Sequence, residues 1–496
     1  MVFSSTRGLL PILLTILSLT QQIHAKAVFA HFMMANAKNY TLSDWTSDIT
    51  LAKSSSIDAF ALNAGSNQPH LATALQNAFS AAEEANFKLF FSLDYSGAGH
   101  WSKDAVVALL ENYTTHSAYF RHGDGNGQAL VSTFEGFQAA KDWGEIKSSV
   151  SKTVGENRCC FFIPDWTSVG PRRASAISSI DGLMSWDAWP AGTKEMNTTE
   201  DEEYMSLLDA KDKAYIMPVS PWFYTNLRAF NKNWVWRGDD LWYTRWQQVL
   251  QLQPEYVEIL TWNDYGESHY IGPLRDNATG ILGDAGAPFD YVKGMEHDGW
   301  RALLPYLIKA YKGGDSSGEG EVGEEVLTAW YRSSPADACG SGKTTGNTES
   351  QKQTLLPPGE VLQDKVFYSA LLDGQADVSV SIGGENATAG WTDVPGTGKG
   401  VYHGSVAFGD RTGPVVVTLS RDGDFLAEIK GRSIEDECPG NLTNWNAWVG
   451  NATVKGRGGG RSSSSSDGED SAARPLSVFI QTLSIGLGLG WAWLLV

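Results

Sequence analysis

From Ala27 to about Lys312, short apolar runs alternate with amphipathic stretches, and no other feature constrains the fold of this chain as much. The runs Ala27–Met34, Ile57–Asn63, Lys88–Asp94, Gln128–Phe134, Cys160–Pro164, Gly182–Trp186, Ala214–Val219 and Tyr256–Thr261 read as strands, most of them ending in polar or aromatic residues. Between them, Leu42–Lys53, Pro69–Ala85, Asp104–Thr115 and Asp240–Gln251 read as helices. In the second of these, Leu71, Leu75, Ala78 and Ala82 fall at helical spacing. Eight strand–helix alternations over residues 27–312 match the size of a (β/α)8 TIM-type barrel. An open doubly wound sheet would need a glycine-rich phosphate turn after its first strand to bind a nucleotide. Ala30-His31-Phe32-Met33-Met34-Ala35-Asn36 contains none.

After the alternation stops, the pattern changes. Residues 313–325 are rich in Gly, Ser and Glu and read as a linker. From 326 to 455, stretches such as Val378-Ser379-Val380-Ser381-Ile382 alternate apolar with polar, which predicts an antiparallel β-sandwich-like domain. The chain is therefore read as α/β, with the barrel at 26–312 followed by a β-rich accessory domain. At 496 residues and 42% hydrophobic it is long enough for one large core and a smaller second one.

Both ends carry addresses. Residues 1–25, with Arg7, an apolar run from Leu9 to Leu19 and Ile23-His24-Ala25, read as a signal peptide. Residues 456–474 form a Ser/Gly-rich stalk, and the uncharged apolar tail 475–496 stops without a basic flank. Small residues between Ser464 and Gly468, a polar spacer and a terminal apolar tail make up a GPI-attachment signal; a retained tail anchor is the alternative. Sequons at Asn39, Asn112, Asn197, Asn277, Asn386, Asn441 and Asn451 fit a glycosylated secretory protein at the cell surface or wall.

Of the four cysteines, Cys339 and Cys438 are expected to pair in an oxidising compartment. The adjacent Cys159-Cys160 leave two readings open, buried thiols or a vicinal disulfide. No metal-ligand spacing of Cys or His occurs, so neither a metal nor a cofactor is expected. The net charge of −19, with no basic patch, disfavours nucleic acid but not a neutral polymer, and a monomer is expected.

In a barrel the chemistry sits at the C-terminal ends of the strands. Read in order, those ends give Asp94, Glu135, Asp165, Asp187, Asp264 and Glu267, interleaved with several of the 19 Trp. Any one of these acids is as easily a helix cap. Together they form a ring of carboxylates and aromatics, the equipment for cleaving a glycosidic bond. Asp264 and Glu267, three apart, would point to opposite faces of a straight strand, so the chain must turn between them, and Gly266 is the residue expected to permit it.

The entry Val28-Phe29-Ala30-His31-Phe32-Met33, Phe91-Ser92-Leu93-Asp94 and Pro164-Asp165-Trp166-Thr167 resemble glycoside hydrolase family 71, the fungal α-1,3-glucanases or mutanases. So do Pro218-Val219-Ser220-Pro221-Trp222-Phe223 and Thr261-Trp262-Asn263-Asp264-Tyr265-Gly266-Glu267-Ser268. The resemblance implies a glucan endo-1,3-α-glucosidase acting on fungal cell-wall α-1,3-glucan with inversion. It also implies Asp264 and Glu267 as catalytic carboxylates and Asp94 as a further essential acid. Glu267 is read as acid and Asp264 as base, with the reverse left open. Substrate contacts are expected from His31, Asn63, Asp165, Trp166, Asp187, Trp222 and Tyr265, with Trp166, Trp222 and Tyr265 as sugar platforms. Trp242 and Trp246, four apart in a helix, are expected in the core. A wall-remodelling transglycosylase and a non-catalytic carbohydrate-binding wall protein are the competing functions. The accessory domain is read as either a binding module or a buttress for the barrel.

Overall fold

The computed structural model describes residues 26–97, 99–123, 127–156 and 158–454. The signal segment 1–25, the stalk 456–474 and the tail 475–496 lie outside the described residues.

Eight parallel strands build the barrel. They are β1 (Ala27–Met33), β2 (Ala59–Gly65), β3 (Lys88–Asp94), β4 (Ala129–Phe134), β5 (Cys159–Phe162), β6 (Gly182–Met184) and β7 (Ala214–Val219); then, after an inserted hairpin of β8 (Tyr224–Leu227) and β9 (Lys232–Val235), comes β10 (Tyr256–Ile259). Their order is β5-β4-β3-β2-β1-β10-β7-β6. The ring closes through one residue, Asp165, whose backbone bridges Phe134 of β4 and Met184 of β6. β5 is shorter than its apolar run because Pro164 has no N–H to give to the ladder. β1, β2 and β7 are buried almost throughout, since helices cover the outside and side chains fill the inside. Helix Leu42–Ser54 starts on a capping box between Thr41 and Asp44. Helix Leu71–Ala85 buries Leu71, Ala74, Leu75, Ala78 and Ala82 and stops at Asn86, which is left-handed at φ 49°. Trp242 and Trp246 are core residues, as the helical spacing implies.

The C-terminal part is a sandwich of two antiparallel sheets. β11 (Val326–Tyr331), β13 (Lys365–Leu372), β16 (Gly400–Ala407) and β19 (Trp448–Thr453) form the inner sheet, in the order β16-β13-β11-β19. β14 (Asp377–Ile382), β15 (Glu385–Ala387), β17 (Gly413–Arg421) and β18 (Asp424–Ile434) form the outer sheet, in the order β15-β14-β17-β18. The short β12 (Thr345–Gly346) leaves the sandwich and joins the β8–β9 hairpin instead, parallel to β9.

The segment read as a linker is tied to its surroundings: Tyr306 Oη donates to Gly318 O at 2.7 Å, Gly396 N donates to Glu319 Oε1 at 2.5 Å, and Glu325 pairs with Arg421. Successive residues of β11 also point to two different cores. Val326 and Trp330 join the barrel's core, while Leu327, Ala329 and Tyr331 join the core between the two sheets. Cys339 and Cys438 are disulfide-bonded, with Cα atoms 6.3 Å apart. Cys159 and Cys160 are bonded to each other, so the vicinal disulfide holds and the free thiols do not.

Candidate active site

The loop after β10 folds back sharply. Thr261 N donates to His269 O at 2.8 Å and Ile271 N donates to Thr261 O at 2.9 Å, so residues 262–268 form a closed turn. Asp264 caps it, its Oδ1 accepting from Glu267 N at 3.1 Å. The residue that takes the left-handed conformation is Ser268, at φ 60°, and not Gly266 as the sequence suggested. At Gly266 a Cβ would lie 3.0 Å from Leu227 Cδ1 of the inserted hairpin, a tight contact that the leucine side chain would have to relieve. Asn263 pins the turn to the end of β1, its Oδ1 accepting from Met33 N at 2.7 Å.

Asp264, Glu267 and His269 converge, with one donor atom from each lying within 4.8 Å of the others. His269 Nε2 donates to Glu267 Oε2 at 3.0 Å and lies 4.0 Å from Asp264 Oδ2. Lys232, carried by β9, donates to the other Glu267 oxygen. Among the described residues this trio is the one His/Cys/Asp/Glu grouping close enough to share a cation, and the Lys232 ammonium already supplies positive charge there. Burial alone would raise the Glu267 pKa, but the Lys232 charge and the bond and charge of His269 outweigh it and hold the carboxyl below its ordinary range. Asp264 moves the other way: burial and the Glu267 charge raise it, and His269 and Lys232 only partly offset them. The two neighbouring carboxyls are thus pushed in opposite directions, Asp264 toward holding its proton and Glu267 toward losing it. Neither Lys232 nor His269 was singled out in the sequence. Lys232 lies in a hairpin that reads as loop, and His269 was visible only as a histidine two residues past Glu267.

Asp94 ends β3, and its Oδ1 accepts from Ser96 N at 2.8 Å and Gly97 N at 2.7 Å. Its charge also reaches Lys232, which places it at the same mouth. Asp187 lines a cavity of about 340 Å³ beside Trp186, Trp189, Trp236 and Glu200. Burial, then the charges of Glu200 and Asp201, push its pKa up to about 6. The Trp189 ring lies 5.3 Å from that of His269, which sets one wall of this cavity beside the trio.

Other expected contacts sit deeper than the sequence implied. His31 (0% exposed) is bonded at 2.7 Å to Glu258 inside the barrel. Asn63 and Asp165 are buried, and Asp165 Oδ1 accepts from Thr167 N at 3.0 Å and Thr167 Oγ1 at 2.6 Å. Glu135 accepts from Ser168 through both oxygens. The three residues expected as platforms lie deep as well. Trp166, Trp222 and Tyr265 are at most 1% exposed and belong to the core, with Trp222 Nε1 donating to Trp445 O at 2.9 Å. Their ring faces are covered by protein. The half-exposed aromatics of the cleft are Trp186 and Trp189.

The model of glycosyl hydrolase family 71 matches residues 24–463, spanning the barrel and the sandwich alike. A glucan endo-1,3-alpha-glucosidase of Schizosaccharomyces pombe is 34% identical over 432 residues, 86% of this chain and 94% of that one. A mutanase of Penicillium rubens is 34% identical over 440 residues, 87% of this chain and 90% of that one. An ascus wall endo-1,3-alpha-glucanase of S. pombe is 34% identical over 310 residues, 60% of this chain and 68% of that one.

Proposed function

This chain belongs to glycosyl hydrolase family 71, and on that footing we propose that it hydrolyses α-1,3-glucan within the polymer, with inversion at the anomeric carbon. The observation that carries the reading is the convergence of Asp264 on a Glu267 carboxylate clamped by Lys232 and His269. An inverting acid and base stand roughly 6.5–9.5 Å apart, to leave room for a water. Asp264 and Glu267, within 4.8 Å, are too close to be that pair. Asp264 is therefore the proton donor to the leaving oxygen, and Asp94 the carboxylate that activates water. Glu267 keeps negative charge beside the developing oxocarbenium ion. The same short separation favours a second reading, retention through a Glu267 adduct, since retaining pairs stand about 5–5.5 Å apart.

Asp264→Asn and Glu267→Gln should each cut hydrolysis of α-1,3-glucan about 10²-fold or more with the fold intact. On α-glucosyl fluoride, whose leaving group needs no proton, Asp264→Asn should recover most of its rate and Asp94→Asn should not. Equal losses on both substrates would remove Asp264 as the acid. Proton NMR of fresh product should show the β-anomer first; an initial α-anomer would replace inversion with retention.

We also propose that the enzyme is secreted, works at the cell wall as a monomer and is held there by a GPI anchor. The apolar tail and Ser-rich stalk support this. Phosphatidylinositol-specific phospholipase C should release it from cells; a resistant cell-bound form would mean a retained tail instead.

A further inference from the structure

A second cavity, of about 490 Å³, has Lys232 in its wall. Asn226, Asn231, Lys232, Asn233 and Lys343 line it, a set of amides and ammonium groups that donate hydrogen bonds. Lys232 thus faces the cavity while bonded to Glu267, and Trp189 faces the first cavity while packed beside His269. Two different receptacles adjoin the reacting groups. One offers indole rings to the apolar faces of sugars, and the other offers donors to their hydroxyls.

Both receptacles borrow a wall from the same remote stretch of chain. Gly342 and Lys343 line the second cavity, and Gln351 and Gln353 line the first. This stretch leaves the sandwich just after Cys339, whose disulfide to Cys438 fixes its root. It then crosses to the barrel, where β12 extends the hairpin by pairing Thr345 with Trp234 and Gly346 with Val235. Side-chain bonds hold it on either side of that strand. Asn233 Nδ2 donates to Gly342 O at 3.0 Å, Gly192 N donates to Asn347 Oδ1 at 2.9 Å, and Trp236 Nε1 donates to Gln353 Oε1 at 2.8 Å. The last of these orients an aromatic ring of the first cavity.

We infer that residues 342–353 complete the substrate cleft, so that a neutral, hydroxyl-rich glucan chain lies across both cavities, with Lys343 contacting sugars on one side of the cleaved bond and Gln351 on the other. The inference rests on the proposed α-1,3-glucan activity. It assigns the C-terminal part a role that neither a detached binding module nor a passive support would have. Both named side chains are exposed at the cleft, so replacing them should leave the core intact. Lys343 is left-handed at φ 66°, a conformation glycine adopts without strain, and Lys343→Gly therefore removes the exposed side chain without straining the backbone.

The test measures kcat and KM of wild type, Lys343→Gly and Gln351→Ala on α-1,3-gluco-oligosaccharides of graded length, with melting temperature as the control for folding. In each variant the ratio of kcat/KM for the longest over the shortest cleaved oligomer should fall about tenfold, and the two variants should shift product lengths in opposite directions. An unchanged ratio in both variants overturns the inference while leaving the function standing. A uniform loss at every length also overturns it, because a subsite acts only on the sugars that reach it. Failure of the wild type to cleave any α-1,3-linked oligomer overturns the proposed function instead.

Discussion

The two sheets of the sandwich each have four strands, yet they occupy different surroundings. The outer sheet meets solvent on one face: along β14, Asp377 and Ser379 are exposed while Val378, Val380 and Ile382 are buried. The inner sheet is covered on both faces, by the barrel at Val326 and Trp330 and by the outer sheet at Leu327, Ala329 and Tyr331. A sheet with one free face ends a structure, whereas a sheet covered on both faces is a shared wall. The C-terminal part is therefore continuous with the barrel, and the family match across both halves agrees with that.

The most severe way to break this comparison is to remove the wall. Residues 26–312 alone would uncover Trp300 and leave Trp222 Nε1 without Trp445 O, so the barrel should be recovered aggregated and inactive. A soluble barrel fragment with a cooperative melt would show that the inner sheet is dispensable to it. A milder test sets one residue of each sheet against the other. Trp330→Ala, beneath the barrel, should cost about 3–5 kcal/mol in urea denaturation. Ser379→Ala, on the free face of the outer sheet, should stay within about 0.5 kcal/mol. Similar costs at the two positions would erase the distinction.

The same difference governs what was legible in the sequence. Val378–Ile382 announced its strand because one face is wet and the residues alternate. Val326–Tyr331 is buried at every position, so nothing in its polarity says that it serves two cores. The barrel's eight runs were legible for the opposite reason, since parallel strands enclosed on both sides become apolar blocks separated by amphipathic helices. At the site, the strand-end rule pointed to Asp94, Asp187, Asp264 and Glu267, because carboxylates there are conspicuous in the sequence. It could not separate Trp166 and Trp222, which end up under the cleft, from Trp186 and Trp189, which face it. All four stand near strand ends, and burial depends on neighbours distant in the chain, such as Trp445. Lys232 escaped for a similar reason, because its partner lies in another loop and the hairpin that delivers it has no counterpart in a simple strand–helix alternation.

The position of β19 sets a direction in time. It is the last strand in the described chain, and it pairs with β11, the first strand of the sandwich, while Gly299 of the barrel lies so close to Gly450 that a Cβ would approach its carbonyl to 2.6 Å. A ribosome delivers the barrel and its carboxylates long before this strand emerges, and a pairing so distant in sequence forms late. The inner sheet cannot close until then, and the cleft wall carried by β12 hangs from the same unfinished sandwich. Hydrolytic competence thus waits for β19, and a chain that lacks it has neither a closed inner sheet nor a finished groove in which to use its acids.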